Sequence, residues 1–296
     1  MKKILLFLFP KSEEILHKNL WLNKFRVIRY YRRQTYKHIV NRYRKNFIEI
    51  DGRKMYLDEK DSLKLSIKDF SPTLVKFWKS VIKKGDTVID LGANIGFFTC
   101  LFAQLVGETG KVYAFEPEPN NCKLIRKNLE INGYKNVILE QKAVSNKSGK
   151  IKLYFSYSAV DHLIYKTDQN RNSIDIDCIT LDDYFSNSNV SINVIKSNIQ
   201  GAEKIIKNSK NLNHISVEFD PDGLKKFDSD PEQFLDTLIK MNYKLYDILE
   251  YDNKTIPMEK KDILRKYPGG NGVGTGLLCS KKEKFLASFA KITPLG

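Results

Sequence analysis

The sequence has few cysteines, no long apolar run and none of the usual phosphate-binding glycine motifs. Its four cysteines form no Cys-x-x-Cys pair, which disfavours a zinc site or a disulfide framework and indicates buried thiols in a reducing, cytoplasmic setting. They are Cys100, Cys122, Cys178 and Cys279. No apolar stretch is long enough to span a membrane. Residues 4–9 are apolar but lack a signal-peptide cleavage site, so we interpret them as part of a helix, with a degenerate signal as the alternative.

The missing glycine motifs narrow the choice of nucleotide ligand. There is no G-x-x-x-x-G-K-[ST] loop, which argues against a P-loop NTPase. The glycine turn that follows an apolar strand has the pattern Asp90-x-Gly92-x-x-x-Gly96, without the third glycine of a G-x-G-x-x-G dinucleotide fingerprint. A nicotinamide oxidoreductase is therefore disfavoured. The scattered cysteines give no metal motif, so we predict no metal site.

The most informative segment is residues 88–99, where a buried strand breaks into this glycine turn and opens a helix. A second predicted strand, residues 111–115, ends on Glu116. A glycine turn after one strand and an acid after the next is typical of a nucleotide site in a doubly wound sheet, where the acid accepts hydrogen bonds from ribose hydroxyls. A ligand with ribose and adenine but no phosphate fits, and S-adenosylmethionine (SAM) is the predicted cofactor. The alternative is a tight turn without a ligand.

The net charge of +15 is concentrated near the N-terminus. Residues 1–48 contain 13 Lys and Arg against 2 acids, a net of +11, and the rest of the chain carries +4. This segment interleaves aromatic and basic residues, as basic helices on anionic membrane surfaces do. A solvated helix packed on the main domain is the alternative. Because the excess charge does not extend to the body, we expect no specific nucleic acid partner.

The rest of the chain alternates between strand and helix patterns. Asp51-Gly52 between apolar alternations predicts a hairpin at residues 47–57. The alternation that follows predicts a mostly parallel sheet. Residues 149–181 change character and predict an antiparallel insertion or edge pair. We expect residues 243–249 and 276–280 to complete the sheet as a hairpin.

Three segments follow from these patterns. Residues 1–46 are predicted to be a basic amphipathic extension, residues 47–284 one α/β domain, and residues 285–296 a C-terminal tail. The segment between the last two predicted strands, residues 250–275, is expected to be a loop. Its glycine run precedes a strand rather than a helix, so we interpret it as a mobile loop near the mouth of the site rather than a phosphate loop.

An ordered set of motifs extends well beyond the glycine turn. The set comprises Gly85-Asp86-Thr87-Val88-Ile89-Asp90-Leu91-Gly92-Ala93-Asn94-Ile95-Gly96, Tyr113-Ala114-Phe115-Glu116-Pro117, Ala143-Val144-Ser145, Thr180-Leu181-Asp182-Asp183 and Ile195-Lys196-Ser197-Asn198-Ile199-Gln200-Gly201-Ala202-Glu203. With this set the chain resembles the FkbM family of SAM-dependent methyltransferases over about residues 47–282. The resemblance implies a Rossmann-like class I methyltransferase fold, with a seven-stranded, mostly parallel sheet and helices on both faces. It also implies O-methylation of a glycan, glycolipid or related hydroxyl-bearing acceptor.

The resemblance also assigns cofactor roles by position. The residues that would surround the methionine part of SAM are Asp90, Gly92, Ala93, Asn94 and Gly96. Glu116 would bind the ribose, and the segment from Gln141 to Ala143 would lie beside the adenine. An acceptor presented at a membrane surface would suit the basic N-terminus, so we expect a cytoplasmic protein in peripheral contact with the inner membrane face through residues 1–45.

The sequence departs from the family pattern at three acids. Ser71, Asn198 and Gln200 stand where the family has carboxylates. Amides keep the shape of a carboxylate but cannot act as general bases. Three interpretations of these replacements remain open. The acids are unnecessary for methyl transfer, or another base such as Glu218, Asp220 or His162 replaces them. In the third, the protein has lost catalysis and kept only a binding fold.

The candidate catalytic residues are therefore Asn198, Gln200, Glu218 and His162. His214 opens an apolar strand and is interpreted as structural. The pair Asp182 and Asp183 is interpreted as the cap of a helix beginning at Tyr184.

Overall fold

The computed structural model describes residues 47–66, 69–145, 147–155, 172–197, 211–226, 229–249, 254–270 and 273–282. The predicted N-terminal extension and C-terminal tail lie outside these ranges. The chain begins with an antiparallel hairpin of β1 (Ile48–Ile50) and β2 (Arg53–Met55). Asp51 and Gly52 form its turn with positive φ angles of 51° and 76°, which confirms the Asp-Gly prediction.

Alternating helices and strands then build the first half of the central sheet. These elements are α1 (Pro72–Val81), β3 (Thr87–Leu91), α2 (Phe97–Val106), β4 (Lys111–Phe115), α3 (Pro119–Ile131) and β5 (Val137–Glu140). Proline in the first turn starts both α1 and α3, where its missing N–H costs no hydrogen bond.

A small second sheet interrupts this alternation. Its strands are β6 (Ala143–Val144), β7 (Gly149–Tyr154) and β8 (Ser173–Ile179), in the order β6-β8-β7. The antiparallel pairing of β7 with β8 confirms the predicted insertion. The short helix α4 (Leu181–Tyr184) follows. Its cap is Thr180, whose hydroxyl accepts from the Asp183 N–H, so the prediction that the two aspartates cap a helix starting at Tyr184 was wrong.

The second half of the central sheet comes from the C-terminal part of the chain. Its elements are β9 (Val194–Ser197), β10 (His214–Phe219), α5 (Pro221–Lys226), α6 (Pro231–Lys240), β11 (Lys244–Leu249), β12 (Lys254–Met258), α7 (Lys260–Lys266) and β13 (Thr275–Ser280). The strand order of the whole sheet is β5-β4-β3-β9-β10-β13-β11-β12. Five neighbouring strands of this sheet are parallel, namely β5, β4, β3, β9 and β10. Strand β13 is antiparallel to both of its neighbours.

The sheet has eight strands, one more than the seven expected. The additional strand, β12, pairs antiparallel with β11 at the end of the sheet. Pro257 in β12 has no backbone N–H to donate to a neighbouring strand. Such a residue is tolerated at the edge of a sheet, which is where β12 lies. The expected loop at residues 250–275 therefore contains a strand and the helix α7. Strands β11 and β13 do pair, as expected, although they are not consecutive.

Helices cover both faces of the sheet. Because side chains alternate along each strand, Val88 of β3 packs in one apolar core and Ile89 in the other. The first core holds α1, α2 and α3, and the second holds α6 and α7. All four cysteines are buried free thiols. Among the described residues, no helix is long and apolar enough to cross a membrane.

Candidate active site

The glycine turn at the carboxyl end of β3 is the centre of the candidate site. Gly92, Asn94 and Gly96 have φ angles of 72°, 54° and 87°, a left-handed conformation that favours glycine and tolerates asparagine. A Cβ atom on Gly96 would also lie 3.2 Å from Cγ1 of Ile125 in α3. The glycine spacing found in the sequence is therefore required twice, by the backbone turn and by close helix packing.

The backbone N–H groups of this turn are all used within the protein. Those of Gly92 and Ala93 both donate to the Phe115 carbonyl, at 3.0 Å each. The Asn94 N–H donates to Glu116 Oε2 at 2.7 Å. The Ile95 N–H donates to Oδ1 of Asn94 at 2.7 Å, and the Gly96 N–H donates to the Ala93 carbonyl at 2.9 Å. A phosphate would need such N–H groups, so this arrangement agrees with a nucleoside ligand that has no phosphate at this turn.

Glu116 lies at the end of β4, beside the turn, and only 5% of it is exposed. Its carboxylate accepts from the Asn94 and Glu118 N–H groups, at 2.7 and 3.0 Å, and from Nδ2 of Asn121 at 3.3 Å. Burial raises the pKa of Glu116 to about 7. An ionised carboxylate has about four lone-pair sites, so three donors leave room for a hydroxyl. The residue predicted to bind ribose therefore also holds the turn in place.

Asp90 lies below the turn, in β3, and is fully buried. Its Oδ1 lies 3.0 Å from Nζ of Lys196 in β9, and its Oδ2 accepts from the Thr99 hydroxyl at 2.7 Å. Lys196 stands in the motif at residues 195–203, but no role was predicted for it. The available signal was a lysine in the strand Val194–Ser197, in which every residue is buried, because a buried ammonium group needs a partner.

The predicted adenine side lies at the carboxyl end of β5. The Glu116 N–H donates to the Glu140 carbonyl at 3.1 Å, which brings the two strand ends together. Beyond Glu140, Gln141 is exposed and Ala143 is buried in β6. Gln141 thus directly follows the strand end that pairs with Glu116, and Ala143 lies in the second sheet, so their contact with adenine stays a prediction.

A cavity of about 380 Å³ lies at the carboxyl ends of β9 and β10. Its lining includes Leu74, Ser216, Glu218, Asp220, Ile248 and Gly276. Ser197, the last residue of β9, also lines it, so the strand that carries Lys196 ends at the cavity. Of the predicted catalytic residues, Glu218 lies in the cavity wall.

The other predicted catalytic residues, Asn198, Gln200 and His162, lie outside the described residues. Ser71 precedes α1, the helix whose Leu74 lines the cavity. His214 lies at the opposite end of β10 from the cavity, and its Nδ1 is 3.1 Å from the Ser280 hydroxyl. Burial lowers its pKa to about 4, which keeps the imidazole neutral at physiological pH.

The glycine run spans residues 269–276, and its described part also borders the cavity. Gly274 and Thr275 line it. The Gly270 N–H donates to Asp222 Oδ1 at 2.6 Å, and the Thr275 hydroxyl donates to Asp247 Oδ1 at 2.5 Å. Two residues of the run therefore lie beside the cavity, while its place at the mouth of the active site and its mobility stay predictions.

The fold and the turn together define a doubly wound α/β domain with a nucleoside-type site beside a cavity at the carboxyl edge of its sheet. The family model described as "Methyltransferase FkbM domain" matches residues 90–245, more than half of the chain. The chain therefore belongs to the FkbM family of SAM-dependent methyltransferases. A second model, for protein-L-isoaspartate(D-aspartate) O-methyltransferase, matches residues 29–143.

Curated relatives match over short segments. A protein-L-isoaspartate O-methyltransferase of Methanococcoides burtonii is 43% identical over 56 residues, which is 19% of this chain and 28% of that protein. A probable cobalt-precorrin-6B C(15)-methyltransferase (decarboxylating) of Saccharolobus solfataricus is 41% identical over 58 residues, 20% of this chain and 29% of that protein. The chain thus spans less than a third of the length of these relatives.

Similar solved structures include a precorrin-6y C5,15-methyltransferase of Geobacter metallireducens, with a TM-score of 0.41, 14% identity and coverage of 77% of this chain and 94% of that one. Another is Aeropyrum pernix fibrillarin in complex with natively bound S-adenosyl-L-methionine, with a TM-score of 0.40, 7% identity and coverage of 80% and 83%.

Proposed function

We propose that this protein transfers the methyl group of SAM to a hydroxyl group of a glycan, glycolipid or related small molecule. The observation that carries the proposal is the cavity beside the glycine turn from Gly92 to Gly96, which we call the cofactor turn. Its wall combines hydroxyl groups, carboxylates and aliphatic side chains, and glycines border it. Hydroxyls and carboxylates can exchange hydrogen bonds with a polyhydroxylated acceptor.

The residues of the cofactor side fit the methyl donor. Glu116 would accept from the ribose hydroxyls, and Gln141 with Ala143 would border the adenine. The turn from Gly92 to Gly96 would face the methionine part, where the absence of side chains on the glycines lets the backbone approach closely. When bound, SAM supplies an electrophilic methyl group on a positively charged sulfur.

Glu218 is the proposed general base. It lies in the cavity wall near the end of β10, directly opposite Gly276 of β13, which has no side chain to cover it. A carboxylate there can take the proton from an acceptor hydroxyl. The amides at positions 198 and 200, which replace the family's acids, cannot do so. Asp220, the second carboxylate of the wall, accepts the Asp222 N–H at 3.1 Å, at the start of α5. We assign it to holding the acceptor.

The basic N-terminal segment is proposed to hold the protein at an anionic membrane surface on the cytoplasmic side. The support is its composition, a net of +11 in residues 1–48. Sedimentation with vesicles of neutral lipid, with and without anionic lipid, tests this part. The full chain should sediment with anionic vesicles, and a variant lacking residues 1–45 should remain in the supernatant. Equal sedimentation of the two would refute it.

The first experiment on activity is calorimetric titration with SAM and with its demethylated product, S-adenosylhomocysteine. One-site binding that Glu116→Ala removes is the expected result. Absence of binding would favour the alternative, a non-catalytic scaffold that has kept the fold.

An acceptor screen with labelled SAM follows, with Glu218→Gln as the test variant and Asp220→Asn as its control. Glu218→Gln should bind cofactor normally but lose most of the turnover, because proton removal contributes about 10²–10⁴-fold. Asp220→Asn should mainly raise the KM for the acceptor. Activity found only after Asn198→Asp and Gln200→Glu are combined would show that the natural chain is inactive.

A further inference from the structure

Lys196 stands between the cofactor turn and the acceptor cavity. It lies directly opposite Asp90 of β3 on one side and Ser216 of β10 on the other. Asp90 leads into the turn, and Ser216 lines the cavity. Only 3% of Lys196 is exposed, so its ammonium group has left bulk water and must be stabilised by protein groups.

The partners of this ammonium group are one carboxylate and two backbone carbonyls. Nζ lies 3.0 Å from Oδ1 of Asp90, 3.1 Å from the carbonyl oxygen of Gly92 and 3.5 Å from that of Leu91. It also lies 5.5 Å from the centre of the Phe98 ring. The ammonium group thus contacts two backbone carbonyls at the start of the glycine turn in addition to the aspartate.

The Gly92–Ala93 peptide is consequently held at both ends. Its carbonyl accepts from Lys196, and its N–H, that of Ala93, donates to the Phe115 carbonyl at 3.0 Å. The two holding groups come from β9 and β4, the strands on either side of β3. Gly92 itself resists rotation weakly, because glycine visits many backbone conformations.

We propose that Lys196 is a positioning residue for the methyl donor, and that Asp90 acts as its counter-ion rather than as a cofactor ligand. Lys196 fixes the orientation of the Gly92–Ala93 peptide before the ligand arrives, which removes an ordering cost from binding. This inference concerns the cofactor side and does not depend on the identity of the acceptor or on Glu218.

The test uses S-adenosylhomocysteine as the probe, because it binds without reacting. Lys196→Met removes the ammonium group and is expected to raise the Kd at least tenfold. This variant leaves Asp90 buried without its cation, so it will also be destabilised. The double variant Asp90→Asn with Lys196→Met has no buried charge, and its melting temperature should recover relative to Lys196→Met.

The double variant separates positioning from stability. We expect its Kd to remain at least tenfold weaker than wild type, and its peptide covering residues 90–96 to exchange amide hydrogens faster than wild type without ligand. Thr99→Val is the matched control, because it removes a buried bond to Asp90 and leaves the Gly92 carbonyl held. It should lower the melting temperature and keep the Kd within twofold.

Wild-type affinity in the double variant would overturn the proposal, because Lys196 would then serve only to neutralise Asp90. Loss of affinity in Thr99→Val to the same degree as in the double variant would also overturn it. Should Lys196→Met fail to fold, the double variant and Thr99→Val carry the same decision.

Discussion

Nδ2 of Asn128 in α3 lies 2.9 Å from the carbonyl oxygen of Ile95, so a helix side chain holds the far end of the cofactor turn. The same amide group bonds the backbone of Tyr56, the residue that directly follows the hairpin strand β2. It accepts from the Tyr56 N–H at 2.6 Å and donates to the Tyr56 carbonyl at 3.2 Å. The N-terminal hairpin and the cofactor turn are thus connected through one buried side chain.

Asn128→Ala should weaken both structures. It leaves three backbone groups without their partner, at a cost of about 2–4 kcal/mol in the free energy of unfolding. Because the Ile95 carbonyl is then released, S-adenosylhomocysteine should also bind more weakly, by tenfold or more. Denaturant unfolding and calorimetric titration of the purified variant measure the two effects.

Asn132→Ala is the matched control for this prediction. Asn132 is the C-cap of α3, four residues after Asn128, and bonds the backbone of Lys54 in the same hairpin, at 2.8 and 2.7 Å. It does not contact the cofactor turn in the described structure. We expect a loss of stability of about 1 kcal/mol with unchanged ligand affinity. Equal loss of affinity in both variants would mean that the hairpin, not the Ile95 contact, controls the turn.

The pKa of about 7 at Glu116 predicts that cofactor affinity depends on pH. Ribose hydroxyls donate hydrogen bonds, so they favour the ionised carboxylate. The affinity for S-adenosylhomocysteine should therefore rise as the pH increases from about 6 to 8. Glu116→Gln should remove the dependence and bind weakly throughout. A flat profile in the wild type would contradict this prediction.

The same group has the opposite effect on stability. Burial raises the pKa of Glu116 from 4.5 to about 7, so the folded protein binds this proton more tightly than the unfolded chain. Its contribution to the free energy of unfolding therefore falls as the pH rises from about 4.5 to 7. The difference between wild type and Glu116→Gln in denaturant unfolding at several pH values isolates this contribution.

How much of this site the sequence predicts depends on how local each feature is. The glycine turn and Glu116 are recognisable because their spacing along two consecutive strands encodes the geometry. The pairing of Asp90 with Lys196 is not recognisable in the sequence, because it requires knowing that β9 lies beside β3. More than 100 residues separate the contacting groups along the chain. Asn128 looks like an ordinary polar residue of a solvated helix face until the hairpin is placed against it.

The fold follows the same division. The parallel half of the sheet agrees with the predicted alternation because each unit contains its own strand and helix. Strand β12 was missed, since a proline inside a short run argues against a strand and only an edge position tolerates it. Its burial pattern, with a single buried residue at Thr255, gives no strong periodic signal.

Gly276 should control which acceptors enter the cavity. A Cβ atom there would lie 2.9 Å from Cδ1 of Ile248, the flexible end of a side chain that also lines the cavity. Gly276→Ala should therefore fold with little loss of stability and push Ile248 into the cavity. We expect the KM for the acceptor to rise several-fold with unchanged S-adenosylhomocysteine affinity.

Ile248→Val combined with Gly276→Ala tests this mechanism, because the shorter side chain lacks the atom that the new Cβ meets. The double variant should regain most of the acceptor affinity. If Gly276→Ala leaves the acceptor KM unchanged, or if it weakens cofactor binding instead, the cavity is not the acceptor site.

Asp247 of β11 anchors the segment that borders the cavity. It is fully buried and accepts from Nζ of Lys266 at 2.6 Å and from the hydroxyls of Tyr267 and Thr275 at 2.9 and 2.5 Å. Asp247→Ala leaves three donors without their acceptor and should cost about 3–5 kcal/mol in the free energy of unfolding. Thr275→Val removes one neutral donor and should cost about 1 kcal/mol.

Both variants release Thr275 from β11, so both should alter the acceptor side before the cofactor side. We expect Thr275→Val to raise the acceptor KM while binding S-adenosylhomocysteine like the wild type, which initial rates and titration measure separately. Lys266→Met is the control, because Lys266 bonds Asp247 without lining the cavity. It should lower stability and leave both affinities unchanged. A similar rise in acceptor KM in Lys266→Met would mean that the anchor acts through the general stability of this end of the sheet, and not through the placement of Thr275.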